Sequence, residues 1–205
     1  MKLQISFDIP NLNEALEIAA KVEKYADILE VGSSLIYKEG VKAVEEFKSK
    51  FSKKEIFADI KLVDRVEDVI TIYADAGADY ISILAGTSNA TIQNASKVAH
   101  GLKSKIALDL VDAYSMGQSA MDAKALDIDV IIFHGPHETT QLTSLLDEWQ
   151  NVRGNTNLPI FIAGNINKNN IDKVIPLKPQ GIIIGAPITH ADDPAKEAEY
   201  FKSLL

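Results

Sequence analysis

The 205-residue sequence predicts an α/β fold, a single-domain (β/α)8 TIM barrel over residues 1–205. Eight short runs rich in apolar and β-branched residues recur roughly 21 to 30 residues apart, which is the repeat expected of βα units. Their nearly continuous apolar character suits a parallel sheet covered by helices. Eight regular units without a GxGxxG motif favour a closed barrel over an open, doubly wound sheet.

The predicted strands are the runs 3–9, 26–33, 55–62, 80–86, 105–111, 129–135, 159–165 and 181–188. Amphipathic stretches of helical period separate them. The stripe after the first strand comprises Leu12, Ala15, Leu16, Ala19 and Val22, and the stripe after the second comprises Val41, Val44, Phe47 and Phe51. We expect residues 151–159 to form a loop, and no linker divides the chain.

Composition narrows the class of function. A net charge of −8 and a pI near 5.0 argue against nucleic acid or an anionic membrane as the main partner. The chain has no cysteine and no apolar run as long as a membrane span, so we expect a cytoplasmic protein. Its only arginines are Arg65 and Arg153, so backbone amides or lysines must hold any anionic ligand.

Ionisable side chains recur near the ends of the predicted strands. They are Asp8, Glu30, Asp59, Lys61, Asp109 and His134. In a barrel these ends converge on one face, where active sites lie. One such charge would be read as a solvated rim residue, but six at equivalent positions favour catalysis. Asp59 and Lys61 alternate with apolar residues, so strand geometry sends both to the same side.

Each of these residues also has a structural interpretation. Glu30 and Asp59 could serve only to pair with Lys61. His134 could be a core histidine whose hydrogen bonds are satisfied, and Asp109 could cap a strand end or support a neighbouring group.

Two glycine turns predict a phosphate site. The segments 163–166 (AGNI) and 185–188 (GAPI) each follow a strand and precede a helical stretch. Barrels commonly hold phosphate with backbone amides in the loops after strands seven and eight, and glycine permits close approach of the backbone. The residues expected there are Gly164, Asn165, Gly185 and Ala186.

The end of the third strand carries a recognisable pattern. Asp59, Lys61 and Asp64 form a D-x-K-x-x-D motif that resembles the signature of the orotidine-5′-phosphate decarboxylase superfamily. Glu30 stands where the metal-free orotidylate enzyme has lysine. This is similar to the magnesium-dependent branch, which comprises 3-hexulose-6-phosphate synthase and 3-keto-L-gulonate-6-phosphate decarboxylase. The resemblance covers essentially the whole chain and implies a carbon–carbon lyase.

The resemblance also implies roles for individual residues. It implies Mg2+ on Glu30 and Asp59, Lys61 and Asp64 beside the reacting carbons, and an enediolate intermediate. It implies Asp8 and Asp59 as substrate ligands, and the two glycine turns as the phosphate site. His134 would transfer protons, and Asp109 is a further catalytic candidate by its position. The family barrel is a homodimer, so Asp64 is expected to reach the neighbouring subunit's site.

Two positions favour the synthase within this branch. His137 and Ala186 stand where the decarboxylases carry arginine, and GAPIT is closer to the synthase pattern. The implied reaction is aldol addition of formaldehyde to D-ribulose 5-phosphate, or its reverse. Departures at Arg65–Val66, Asn165 and Pro187 keep the decarboxylase or a related phosphosugar lyase open. A non-catalytic phosphosugar-binding domain is a minor alternative, disfavoured because the metal ligands and Lys61 are present.

Overall fold

Eight parallel strands close into a barrel in chain order in the computed structural model, which describes residues 1–135 and 146–205. The predicted barrel is confirmed, and each predicted run overlaps one strand. The strands are β1 Lys2–Phe7, β2 Ile28–Val31, β3 Glu55–Leu62, β4 Tyr80–Leu84, β5 Lys105–Asp109, β6 Val130–Phe133, β7 Ile160–Ile162 and β8 Gly181–Ile184.

Helices alternate with the strands and cover the outside of the barrel. In the described residues they are α1 Leu12–Val22, α2 Ser33–Glu39, α3 Lys42–Lys50, α4 Val66–Asp75, α5 Asn89–Gly101, α6 Met116–Ala123, α7 Trp149–Arg153, α8 Ile171–Val174, α9 Ala186–Thr189 and α10 Pro194–Ser203, with a 3-10 turn at Ile175–Leu177. No helix in these ranges combines the length and apolarity that a bilayer crossing needs.

The predicted loop at 151–159 is wrong in its first three residues. Helix α7 runs to Arg153, and the loop begins at Gly154. The helix forms because Trp149 and Val152, nearly one turn apart, are both buried. The Trp149 ring packs edge-on against Phe133 of β6, with ring centroids 5.6 Å apart. The free energy gained by burying Trp149 and Val152 outweighs the preference of the surrounding polar residues for a loop.

The core has two layers, one between the sheet and the helices and one inside the barrel. The first predicted helical stripe faces the outer layer, where Ala15, Ala19 and Val22 are buried. The inner layer consists of alternate strand residues, which point into the barrel. Its apolar members are Ile28, Phe57, Tyr80, Ala107, Val130, Ile132, Phe161, Ala163 and Ile183. They fill the barrel below its carboxyl end, so polar side chains on the same faces gather at the mouth.

Charged pairs close the opposite, amino-terminal end of the barrel. The ammonium of Lys2 donates to the Glu55 carboxylate at 2.5 Å. Lys105 donates to the Tyr80 hydroxyl at 2.9 Å. Burial raises the pKa of Glu55, but Lys2 and Lys105 more than offset this, and the pKa lies below its usual value. In TIM barrels this end serves stability, whereas the mouth serves function.

Candidate active site at the barrel mouth

The structure brings most of the predicted site residues together at the carboxyl ends of the strands. Glu30 lies in β2, Asp59 and Lys61 lie in β3, and Asp109 is the last residue of β5. Asp8 follows β1 and His134 follows β6. His137 lies outside the described residues.

Asp59 and Lys61 point to the same side, but strand β3 is not regular there. Ala58 pairs with Ile81 of β4 and Leu62 pairs with Ile83, so three residues of β3 lie opposite Ser82 alone. Lys61 has a φ of 49°, in the left-handed region. Its amide donates to the Ser82 hydroxyl at 2.8 Å instead of to a ladder carbonyl. This β-bulge bends the strand end and aims the lysine at the mouth.

The Asp59 carboxylate is almost fully buried and has partners on both oxygens. Its Oδ1 accepts from Ser82 at 2.9 Å, and its Oδ2 accepts from Ser33 at 3.1 Å and from the Lys61 ammonium. The Lys61 ammonium also lies 3.8 Å from Asp109. Burial lowers the pKa of Lys61, but Asp59 and Asp109 outweigh it and raise the pKa above its ordinary value. Lys61 is therefore a firmly protonated cation between two carboxylates.

Glu30 is buried beside further acidic groups. Its Oε2 accepts from the Gln4 amide at 2.5 Å, and its Oε1 accepts from the Ser6 hydroxyl at 2.9 Å. Burial, followed by repulsion from Asp59 and Asp8, raises the pKa of Glu30 to about 8. The acidic groups on the β1–β2–β3 side therefore repel one another, and a cation bound there would favour the ionised form of Glu30.

Asp109 links the lysine to the histidine. Its Oδ2 lies 3.2 Å from Nδ1 of His134, and its Oδ1 accepts from the amide of Val111 at 2.9 Å. The Asp109 side chain is 3% exposed and that of His134 is 17% exposed. A carboxylate on Nδ1 fixes the ring and leaves Nε2 available for proton transfer.

Asp8 is exposed at the mouth, and its carboxylate contacts one backbone amide and one side-chain hydroxyl. Its Oδ1 accepts from the amide of Ser34 at 3.2 Å, and its Oδ2 lies 2.9 Å from the Ser6 hydroxyl, whose single proton serves either Asp8 or Glu30. A Cβ on Gly32 would lie 2.5 Å from this carboxylate. Glycine at position 32 therefore makes room for Asp8.

The two predicted phosphate turns lie beside each other after β7 and β8. Gly164 and Asn165 have φ values of 104° and 54°, and Gly185 immediately precedes helix α9. Ala186 and Pro187 open that helix, and proline suits a first turn because its missing N–H would have no partner there. Gly185 is half-buried, whereas Ala186 and Asn165 are exposed.

Asp64 does not join the cluster of its own barrel. It is exposed in the loop after β3 and forms no ion pair with the part of the chain that the structure describes. The guanidinium of neighbouring Arg65 donates to Asp68 instead, at 2.5 Å from Nη2. In the described residues Asp64 therefore pairs with neither Arg65 nor Lys61 of its own chain.

Neutral polar residues are the part of the site that charge patterns missed. They are Gln4, Ser6, Ser33 and Ser82. Ser82 is buried and is the only polar residue between apolar neighbours of β4, and Gln4 and Ser6 alternate with Asp8 along β1. That alternation places all three on one face and was a usable signal.

The carboxylates fit a hard divalent cation that takes few protein ligands. Among the described residues, no three histidine or acidic side chains form a ready cation cage. Magnesium, however, is commonly bound by one or two carboxylates, with water and substrate oxygens completing its shell. Glu30 and Asp59 lie on adjacent strands and supply two such carboxylates. Burial raises the pKa of Glu30 most, and repulsion from Asp59 and Asp8 adds to it; a bound cation would relieve that repulsion.

Residues 1–201 match the model of the orotidine 5'-phosphate decarboxylase / HUMPS family. The chain belongs to this family. The predicted superfamily is thereby confirmed.

Named relatives lie in the predicted branch of the family. A 3-hexulose-6-phosphate synthase of Bacillus subtilis is 33% identical over 213 aligned residues, which cover 100% of this chain and 99% of the relative. A solved structure of that enzyme from Salmonella typhimurium is 29% identical with a TM-score of 0.92, over 100% of this chain and 98% of the other. A 3-keto-L-gulonate-6-phosphate decarboxylase structure from Vibrio cholerae is 26% identical with a TM-score of 0.86, over 99% and 96%.

The activity named for the first two relatives is the one that the sequence predicts. Synthase and decarboxylase both make or break a carbon–carbon bond, and the chain is an enzyme of this lyase type. The relatives are enzymes over their full length, which disfavours the alternative of a non-catalytic binding domain.

Proposed function

We propose that this barrel catalyses the 3-hexulose-6-phosphate synthase reaction, adding formaldehyde to D-ribulose 5-phosphate or running the reverse. The observation that carries the proposal is a chain of charged contacts at the barrel mouth. It runs from Asp59 through Lys61 and Asp109 to His134, with Glu30 on the strand next to Asp59. It combines a fixed cation, a positioned proton carrier and a carboxylate pair suited to a metal. The full-length similarity to a named synthase supports the same reaction.

Glu30 and Asp59 would hold Mg2+. When bound, the cation would supply Lewis-acid stabilisation of negative charge on substrate oxygens. Ser82 and Ser33 fix the carboxylate of Asp59, and Gln4 and Ser6 fix that of Glu30. These contacts restrain both carboxylates before any ligand arrives.

The chemistry requires one proton to leave C1 of ribulose 5-phosphate. The resulting enediolate carbon forms a bond to the formaldehyde carbon, and the formaldehyde oxygen gains a proton and becomes a hydroxyl. Lys61 suits charge stabilisation better than proton abstraction because its pKa is raised and it stays protonated. His134 is the group that we assign to proton transfer, with Asp109 holding its ring.

Asp8 and the two glycine turns would hold the rest of the substrate. The Asp8 carboxylate is exposed at the mouth and can accept a hydrogen bond from a sugar hydroxyl. Backbone amides near Gly164, Asn165, Gly185 and Ala186 would bind the phosphate, because the described residues place no arginine at either turn.

We further propose a homodimer in which Asp64 completes the partner's site. Asp64 is exposed in the loop after β3 and lacks an ion pair in the described residues. Apolar side chains lie exposed nearby, with Val63 55% and Ile72 of α4 50% exposed. A two-fold contact through this surface would bury them and carry each Asp64 toward the other barrel. Cytoplasmic location remains a prediction from the sequence.

The decisive experiment measures two reactions in parallel. Purified protein with Mg2+ should consume formaldehyde only when ribulose 5-phosphate is present, and should release little carbon dioxide from 3-keto-L-gulonate 6-phosphate. Carbon dioxide release without formaldehyde consumption would replace the synthase with the decarboxylase. Absence of both reactions would contradict the proposed function.

A further inference from the structure

Gln4 is a polar side chain inside the apolar interior of the barrel. It is 0% exposed, and it pairs in register with Ile28 of β2 and Ile183 of β8, two members of the apolar inner layer. It lies one inward position below Ser6 and two below Asp8, beneath the mouth. Burial of an amide is unfavourable unless hydrogen bonds replace those lost to water.

The amide of Gln4 is only partly satisfied. Its Nε2 donates to Oε2 of Glu30 at 2.5 Å, while its Oε1 has no hydrogen-bond partner among the residues that the structure describes. An apolar residue of the same size would avoid this unmet acceptor. The reason for a glutamine here is therefore its contact with Glu30.

Ser6 holds the other oxygen of the same carboxylate. Its hydroxyl lies 2.9 Å from Oε1 of Glu30 and 2.9 Å from Oδ2 of Asp8, and the residue is 5% exposed. Both Glu30 oxygens thus have a hydrogen-bond contact from β1, one with the amide of Gln4 and one with the hydroxyl of Ser6. Two anchors on separate oxygens fix the rotation of the carboxylate as well as its position.

We infer that Gln4 is a positioning residue for the reaction, which orients the Glu30 carboxylate from below with Ser6 as its second anchor. The inference rests on the proposed function, in which Glu30 is a ligand of a divalent cation. Gln4 would touch neither substrate nor cation, and would act only through Glu30.

The test compares Gln4→Met with wild type. Methionine keeps the length and burial of glutamine but has no N–H donor. The free Mn2+ remaining in a titration, read by electron paramagnetic resonance, gives the affinity of the protein for the metal alone. We expect Gln4→Met to weaken Mn2+ binding about 10- to 100-fold. Its melting temperature should fall by only a few degrees, because packed volume is kept and one hydrogen bond to Glu30 is lost.

Kinetics separate positioning from structural damage. In Gln4→Met, the Mg2+ concentration for half-maximal activity should rise with the Mn2+ dissociation constant, and excess Mg2+ should restore much of kcat. Ser6→Ala should show the same pattern. Ser96→Ala is the matched control, because Ser96 is also buried and, among the residues described, its hydroxyl bonds only to the carbonyl of Ile92 in α5.

The outcomes distinguish this inference from the function on which it rests. If wild type binds Mn2+ and turns over but Gln4→Met binds Mn2+ equally well, the positioning role is overturned and the proposed function stands. The role is also overturned if the variant loses activity that excess Mg2+ cannot restore while its melting temperature falls. A wild-type protein that binds no Mn2+ would overturn both.

Discussion

The carboxylate of Asp109 touches Nδ1 of His134, with 3.2 Å between the nitrogen and Oδ2. Asp109 is buried, and its other oxygen is held by the amide of Val111 at 2.9 Å. The carboxylate cannot turn away from the ring without losing that bond. This pair therefore sets which nitrogen of His134 serves for proton transfer.

Asp109→Asn should lower kcat about 100-fold or more, with a smaller change in KM. The amide has the size of the carboxylate but can present an N–H to Nδ1 and favour the wrong tautomer. Steady-state kinetics with ribulose 5-phosphate and formaldehyde would measure this. The control is Asp112→Asn, which changes an exposed acid in the loop that follows β5. A kcat equal to wild type in Asp109→Asn would remove Asp109 from the mechanism.

Chelation should abolish turnover, and Mg2+ should restore it. Glu30→Gln should preserve the circular dichroism spectrum but lose most activity, because a neutral amide is a poorer ligand for a hard cation. Glu45→Gln changes an exposed acid on α3 and should behave as wild type. Full activity in EDTA after extensive dialysis would rule out metal on Glu30 and Asp59.

Phosphate recognition should depend on the turn at Gly185. Unphosphorylated ribulose should be a very poor substrate, and Gly185→Asp should raise KM for ribulose 5-phosphate at least about tenfold, through repulsion and bulk at the backbone site. Gly101→Asp adds the same charge at the carboxyl end of α5, where a Cβ would meet nothing within 4 Å. Comparable KM values for ribulose and its 5-phosphate would contradict the assignment.

Subunit mixing should reveal the shared site. Asp59→Ala and Asp64→Ala should each be nearly inactive alone. In a mixed dimer, one site carries both defects and the other is intact. Random mixing makes about half of the dimers mixed, so about a quarter of wild-type activity should return after co-refolding.

The control for subunit mixing is Asp68→Ala, which removes another exposed acid next to Arg65 and should remain active by itself. Native mass spectrometry would establish that mixed dimers form. Mixed dimers without recovered activity would place the action of Asp64 within its own subunit, or remove it from the reaction.

Stability in acid should depend on the ion pair between Asp27 and Lys202 at the amino-terminal end of the barrel. Burial raises the pKa of Asp27, but hydrogen bonds from Lys202 at 2.6 Å and from the amide of Leu3 at 2.7 Å outweigh it, and the pKa lies below 3.8. Because the folded pKa is depressed, the stabilisation is present above 3.8. It is lost as pH falls through the folded value.

Lys202→Met should therefore lower the melting temperature at pH 7 by about 1–2 °C, since both side chains are partly exposed and water screens the pair. The difference from wild type should shrink in acid. Lys196→Met, an exposed lysine of the same helix, should change little at any pH. A deficit in Lys202→Met that grows as pH falls would contradict this account.

The strands were predictable because each is an apolar run between polar segments. Most of their carboxyl ends were not, since every predicted run except 55–62 extends past its strand, as in 3–9 against Lys2–Phe7 and 181–188 against Gly181–Ile184. Residues at the mouth leave the sheet while the alternation of their side chains continues. The pattern therefore locates a strand better than it locates its end.

The charged residues of the site could also be predicted from the sequence, because Glu30, Asp59 and His134 interrupt apolar runs. The neutral anchors were overlooked because a serine or glutamine in a strand carries no charge to mark it. The left-handed backbone of Lys61 could not be foreseen from alternation. It depends on Ser82, a residue of the next strand, which receives the amide that the ladder leaves unpaired.

That dependence limits how the D-x-K motif can be transplanted to another barrel. If the same residues were placed in a regular strand, the lysine would stay in register with the neighbouring strand. Its amide would then donate to a carbonyl of that strand. The smallest portable unit is the two-strand cassette of β3 and β4, with three residues facing one. An engineer who copies only β3 would transfer the charged residues without Ser82, the residue of β4 that sets the direction of the lysine.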